Sequence, residues 1–370
     1  MIFNKKILDK YKDKKVLLIG TPKTYPAGVK LNNASYLDTA SILSNTRQIS
    51  LHSSFDVVFI CDHEIFNSFY WETSLDEIIR FTKNRAVLIV HARSTERSSV
   101  WGIKSFISDK INLLAKLLSQ QTFSRTEAFF EMELSRKRNL SKNWSIGIPS
   151  NGKKTSSVLA LIKSIQIARD YLLLKAKVKI EVDIMIIGNK NKIFDGYPVR
   201  FLQQSLDKSL AALGEKKYII GNNSIYENIL IIHDRYRLDE SFFLGFEKWG
   251  YDFELCTTQQ YDSKGEVYDP LLCIDNFDRA DMQMFRLTDQ SYPYGKMYVN
   301  GGLTIVKKSI INKINFNPNL LQAEAEDIDF AKKLHSVGII PRFNLHSVAI
   351  TTTDTKKSNL SSVPFLPKRT

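Results

Sequence analysis

Asn228-Ile229-Leu230-Ile231-Ile232 is a run of mostly β-branched apolar residues that ends directly in His233-Asp234-Arg235. A continuous apolar run of this length is characteristic of a strand buried on both faces of a sheet. The abrupt change to three polar, charge-bearing residues marks its carboxyl end, and in open α/β sheets ligands sit beyond those ends. Two upstream stretches repeat the pattern. Ser145-Ile146-Gly147-Ile148-Pro149 runs into Ser150-Asn151-Gly152, and Glu181-Val182-Asp183-Ile184-Met185-Ile186-Ile187 runs into Gly188-Asn189. Between them Val158, Leu161, Ile162, Ile165 and Leu172 recur at helical spacing and predict a helix from Ser156 to about Leu173. Strand, helix, strand in this order is a βαβ unit, so the fold class is α/β.

The N-terminal part alternates in the same way. Lys15 to Gly20, Phe55 to Asp62 and Arg85 to Val90 read as buried strands, with a helix over Leu75 to Thr82 before the third. Ile103, Phe106, Ile107, Ile111, Leu114 and Leu118 recur at helical steps and predict one amphipathic helix from Trp101 to Gln120. A late strand follows over Glu127 to Leu134, and then a polar, basic stretch from Ser135 to Lys142. The expected organisation is a first domain over 1–138, a linker over 139–143, a second domain over 144–354 and a polar tail over 355–370.

Composition narrows the class. Hydrophobic residues make up 43% of the 370, enough for a sizeable core, which excludes a disordered chain. Cys61, Cys256 and Cys273 form no CxxC pair, so neither a zinc site nor a disulfide framework is expected, and a reducing cytosol suits the chain. The start, MIFNKKILDKYKDKK, lacks the apolar segment of a signal peptide, and no run of about 18 apolar residues predicts a membrane span. The net charge of +13 fits phosphorylated small molecules or an anionic surface. No RNA- or DNA-binding signature accompanies it, so nucleic acid is not an expected partner. Eight lysines among the first thirty residues allow peripheral contact with the inner face of a cell membrane.

Two further segments carry chemistry. Glu326-Asp327-Ile328-Asp329-Phe330 starts a helix on which Asp327, Phe330, Ala331 and Leu334 share a face. Acids at a helix start complement its dipole, which accounts for Glu324 and Asp329 better than for Asp327 on an otherwise apolar face. Asn300-Gly301-Gly302 precedes an apolar strand, where glycines permit either close approach to a ligand or a bulge.

Taken together, a strand ending in Pro149-Ser150-Asn151-Gly152, an acid-bearing triplet at His233-Asp234-Arg235 and the Glu326-Asp327 pair resemble GT-A glycosyltransferases of the family-2 type, over about Trp144 to His346. The resemblance implies a nucleotide-diphosphate sugar donor, a UDP-sugar by expectation, held by Pro149, Ser150, Asn151, Gly188, His233, Asp234 and Arg235. It implies an acceptor side walled by Gly301 and Gly302, with Asp327, beside Glu326, as the general base of an inverting transfer. The acceptor it implies is a glycan or a polyprenyl-diphosphate-linked sugar of bacterial surface polysaccharide synthesis, at the cytoplasmic side of the membrane. In that family an Asp-x-Asp motif holds Mn²⁺ or Mg²⁺. Here the place reads His-Asp-Arg, so Asp234, with His346, is the metal candidate, while Arg235 offers to neutralise the diphosphate without metal. A nucleotidyltransferase shares the strand order, but its glycine-rich basic loop is not found near Pro149.

The strands around Leu17, Val58, Val87 and Phe130 resemble a class I methyltransferase, a Rossmann-like fold. The loop after Ile19-Gly20 reads Thr21-Pro22-Lys23-Thr24-Tyr25-Pro26 and lacks the GxGxG that admits S-adenosylmethionine, so a degenerate docking domain is expected. The alternatives are methyl transfer by this domain, or a non-catalytic scaffold.

Overall fold

The structure is a computed structural model that describes residues 9–25, 31–43, 47–188, 190–205, 211–274, 284–286, 297–322 and 324–352. Asn189, Ala323, the polar tail and much of the lysine-rich start lie outside these residues. The chain divides into two units, Met1–Arg138 and Asn139–Thr370.

In the first unit the apolar runs form a six-stranded sheet. Its strands are β1 (Val16–Ile19), β2 (Ala34–Leu37), β3 (Phe55–Ile60), β4 (Thr82–Arg93), β5 (Leu113–Ser124) and β6 (Glu127–Arg136), in the order β2-β1-β3-β4-β6-β5. β1 to β4 run parallel, and β6 is antiparallel to both its neighbours. The α-helices among the described residues include α1 (Thr39–Leu43), α2 (Trp71–Phe81) and α3 (Val100–Ser108).

The single helix expected over Trp101 to Gln120 is corrected here. Ile103, Phe106 and Ile107 do form the buried face of α3, but the helix ends at Ser108 and the chain continues as β5. Two contacts decide this. Lys110 Nζ lies 2.6 Å from the Asp76 carboxylate, both side chains buried, which pins the chain at the turn. Beyond it, β6 supplies a hydrogen-bonding partner along β5 from Leu113 to Ser124. The strand leaves Leu114 77% exposed, so the ladder with β6, not burial of these leucines, sets this segment.

The second unit holds an eight-stranded sheet in the order β11-β17-β12-β16-β10-β7-β8-β9. Its elements in chain order are β7 (Trp144–Pro149), α4 (Thr155–Ala176), β8 (Val182–Ile187), β9 (Val199–Leu202), α5 (Leu213–Asn223), β10 (Asn228–Ile232), β11 (Tyr236–Leu238), α6 (Phe242–Trp249) and β12 (Leu255–Tyr261). A small second sheet follows, of β13 (Leu271–Ile274), β14 (Met284–Arg286) and β15 (Met297–Val299). The unit closes with β16 (Leu303–Lys307), α7 (Lys308–Ile311), α8 (Glu326–His335) and β17 (Arg342–Thr351). Trp144 anchors the core: its buried ring meets Phe242, Phe243, Phe246 and Tyr251, with the Phe246 centroid at 4.8 Å. Among the described residues no helix is long and apolar enough to cross a membrane.

Register positions the site. β7, β8 and β10 are parallel, with Pro149 opposite Ile187 and Ile231 opposite Gly147, so their carboxyl ends share one sheet edge. β16 is antiparallel to β10, with Leu303 opposite Ile232. It therefore starts at that same edge, immediately after Gly301-Gly302.

Candidate functional site

A cavity of about 410 Å³ lies beyond this edge. Pro149, Ser150, Asn151, Gly188, His233, Asp234 and Arg235, singled out at three separate strand ends, all line it. Backbone bonds shape its walls. Ser150 N–H donates to Ile187 O at 3.1 Å and Gly188 N–H to Leu202 O at 3.2 Å, which extends the ladder past the strand ends. Ser150 Oγ then accepts from Gly152 N–H at 3.1 Å, and Asn151 Oδ1 from Lys153 N–H at 3.0 Å, turning the chain toward α4.

Other lining residues were not found from sequence: Lys153, Lys154, Gln203, Gln204, Ala211, Leu213, Lys216 and Gln322. Lys216 Nζ donates to Ser150 O at 2.8 Å, which ties α5 to the end of β7. Lys153 and Lys154 sit at the start of α4, where the helix dipole adds positive potential. That two lysines follow a strand-end turn and precede a helix was a legible signal of an anion site.

Among the described residues Asp234 is the one carboxylate that lines the cavity. Burial pushes its pKa up, against the pull of Lys154, Arg235, Arg237 and Lys216. His233 N–H donates to Gly302 O at 3.0 Å, and its Nε2 is buried with no partner among the described residues. Burial, reinforced by Lys217, Arg235 and Lys216, holds its imidazole well below the ordinary value, so it is neutral at pH 7. Arg235 is set by its neighbours. Its guanidinium lies 5.5 Å from the Tyr236 ring centroid, and Nη2 lies 3.4 Å from Tyr268 Oη. A Cβ at position 302 would sit 2.7 Å from Nη2, so Gly302 leaves room for the guanidinium.

The acid pair lies behind this wall. Glu326 is buried, and its Oε1 accepts from Lys217 Nζ at 2.8 Å. The same Nζ donates to Gly301 O at 2.8 Å. Asp327 Oδ2 accepts from Gly301 N–H at 2.9 Å and Oδ1 from Ile328 N–H at 3.0 Å. Burial raises the Asp327 pKa and Glu326 adds to that, while Lys217 and the Gly301 N–H oppose. The two glycines thus seat side chains, Asp327 and Lys217 at Gly301 and Arg235 at Gly302. Asp327 lines a small space of about 10 Å³ with Phe316, Phe330 and Ala331, and is not among the residues lining the larger cavity.

The metal expectation meets a different donor set. His346 is exposed in the middle of β17, at the register shift opposite Thr258 and Gln259, and is not brought to Asp234. Among the described residues no three His, Cys, Asp or Glu form a group able to hold a metal ion. One carboxylate facing four cations does not fit a divalent ion, which favours clustered oxygen ligands of net negative charge.

No family model and no curated protein match the sequence. Among solved structures, S. aureus TarS (residues 1–349) is similar with a TM-score of 0.37 and 11% identity, covering 57% of this chain and 60% of that one. GalNAc-T7, solved with UDP, GalNAc and Mn²⁺, gives 0.41 and 11%, covering 60% of this chain and 46% of that one. The inositol-1-phosphate CTP transferase from T. maritima gives 0.35 and 11%, covering 60% and 94%. This chain therefore spans less than two thirds of the TarS fragment and less than half of GalNAc-T7.

Proposed function

We propose that the second unit is a glycosyltransferase that binds a nucleotide-diphosphate sugar, a UDP-sugar in the first instance, in the cavity at the ends of β7, β8 and β10. One observation carries this: three separate strand ends converge on a single cavity lined by Lys153, Lys154, Lys216 and Arg235. Of the structures similar in fold, TarS has been solved with UDP-GlcNAc and GalNAc-T7 with UDP.

The reaction is a displacement at the anomeric carbon. The acceptor oxygen forms the new bond to that carbon. The bond to the phosphate oxygen breaks, its electron pair leaves with the diphosphate, and the configuration inverts. Asp327, whose Oδ2 is oriented by the Gly301 N–H, accepts the proton of the acceptor hydroxyl. Gly301 and Gly302 wall the acceptor side. The acceptor is a glycan or a polyprenyl-diphosphate-linked sugar of surface polysaccharide, met at the inner membrane face by the basic surface. The first unit serves as a docking domain.

The test is a melting screen of the full chain with UDP-, GDP- and CDP-sugars. A bound donor at a hundredfold excess over its Kd should add about 2.7 kcal/mol, a shift of several degrees. If no nucleotide sugar stabilises the chain, the proposal falls. With the donor found, Asp327→Asn should keep donor binding and lose about a hundred- to ten-thousandfold in turnover. Near wild-type turnover, or a product that retains the donor's configuration, would remove Asp327 from the role of base.

A further inference from the structure

We infer that the diphosphate bound in this cavity is neutralised by the chain's own cations, chiefly Lys154, Lys216 and Arg235, rather than by a divalent metal ion held between carboxylates. The inference rests on the nucleotide-sugar proposal above and makes it more specific.

Three observations combine. First, charge of the wrong sign surrounds Asp234, the one acid among the described residues that line the cavity. Asp234 feels Lys154, Arg235, Arg237 and Lys216 together, and a divalent cation placed there would face all four. Second, the adjacent His233 offers the cavity no exposed Nε2. His233 Nε2 is buried with no hydrogen-bond partner among the described residues, and Lys217, Arg235 and Lys216 act on the ring. Third, two of the cations are already oriented. Lys216 is held by its 2.8 Å bond to Ser150 O, beside the turn that lines the cavity. Arg235 is held against Tyr236 and Tyr268, in space kept open by Gly302.

Cations fixed in this way do for a diphosphate what a bridging metal does. A guanidinium offers paired donors to phosphate oxygens, and an ammonium offers a compact charge. Because they are in place before the bond breaks, they stabilise the negative charge that develops on the leaving diphosphate without reorganising.

The experiment is calorimetric titration of the full chain with UDP, and in parallel GDP, in EDTA and again in Mn²⁺. The expected result is binding in EDTA with a Kd within about threefold of that in Mn²⁺. Lys216→Ala or Arg235→Ala should weaken it by about ten- to a hundredfold, the loss of one charge-assisted bond. Lys216→Arg should recover most of that loss, and melting curves of each variant check its folding. Binding that appears only with Mn²⁺ overturns the inference and leaves the glycosyltransferase proposal standing. Binding in EDTA that is indifferent to both alanine variants, each shown to be folded, also overturns it. If neither nucleotide binds under either condition, both fall.

Discussion

Lys217 is fully buried, with its ammonium bonded to Glu326 and to Gly301 O and lying 5.3 Å from the Phe316 ring centroid. Removing one partner of such a pair leaves the other charged and unsolvated, which destabilises by about 3–5 kcal/mol. Lys217→Met should therefore lower unfolding free energy by that order in urea titrations. Lys217→Met combined with Glu326→Gln should recover much of the deficit. An unchanged midpoint would mean that the pair contributes nothing net. The same lysine pulls down the Asp327 pKa, which burial otherwise raises. If Asp327 is the base, activity needs it ionised and falls as pH drops through its raised pKa. The acid limb of kcat/KM should lie above the ordinary carboxylate range and move further up in Lys217→Met.

At the scale of elements, α5 carries both lysines, Lys216 toward the cavity and Lys217 toward Gly301, and its seat on β7 fixes where they point. That seat depends on Gly147. A Cβ there would lie 2.1 Å from Ile220 Cγ2, so any side chain at 147 must push the helix away. Overpacking of this kind costs about 1–3 kcal/mol, or roughly 2–4 °C per kcal/mol in a unit this size. Gly147→Ala should lower the melting temperature accordingly and weaken nucleotide binding, because Lys216 moves with the helix. Adding Ile220→Ala should restore both in part. A Gly147→Ala protein with unchanged melting and binding would show that α5 is not set by this contact.

At the scale of the whole chain, the two units differ in what their first turn offers a ligand. After β1 the polar groups of the turn bond one another. Thr24 Oγ1 accepts from Thr21 N–H and donates to Thr21 O, each at 2.9 Å, and Tyr25 Oη donates to Gly20 O at 2.8 Å. After β7 the turn opens instead onto a cavity lined by lysines. Calorimetry with S-adenosylmethionine should accordingly show no binding. A micromolar dissociation constant would restore methyl transfer by the first unit as a live function.

Much of the second unit was legible in sequence because its signals are local. A buried parallel strand must be continuously apolar, so Trp144–Pro149, Val182–Ile187 and Asn228–Ile232 announce themselves, and the residues that end them fall at the ligand edge by topology alone. The pairing of Lys217 with Glu326 was not legible, since 109 residues separate them and only packing brings them within 2.8 Å. Its one trace was a lysine on the apolar face of α5, in step with Gly214 and Gly221. Likewise the spacing extends a helix through Leu114 and Leu118 to Gln120, whereas Leu113–Ser124 is a strand, because β6 lies alongside to complete its hydrogen bonds. Sequence by itself determined which segments are buried strands and where their polar ends lie, since burial of a strand is written in its own residues. The tertiary structure alone decided which charges meet across the cavity and whether an isolated acid sits among carboxylates or among cations, because Coulomb interactions depend on distance in space and not on position in the chain.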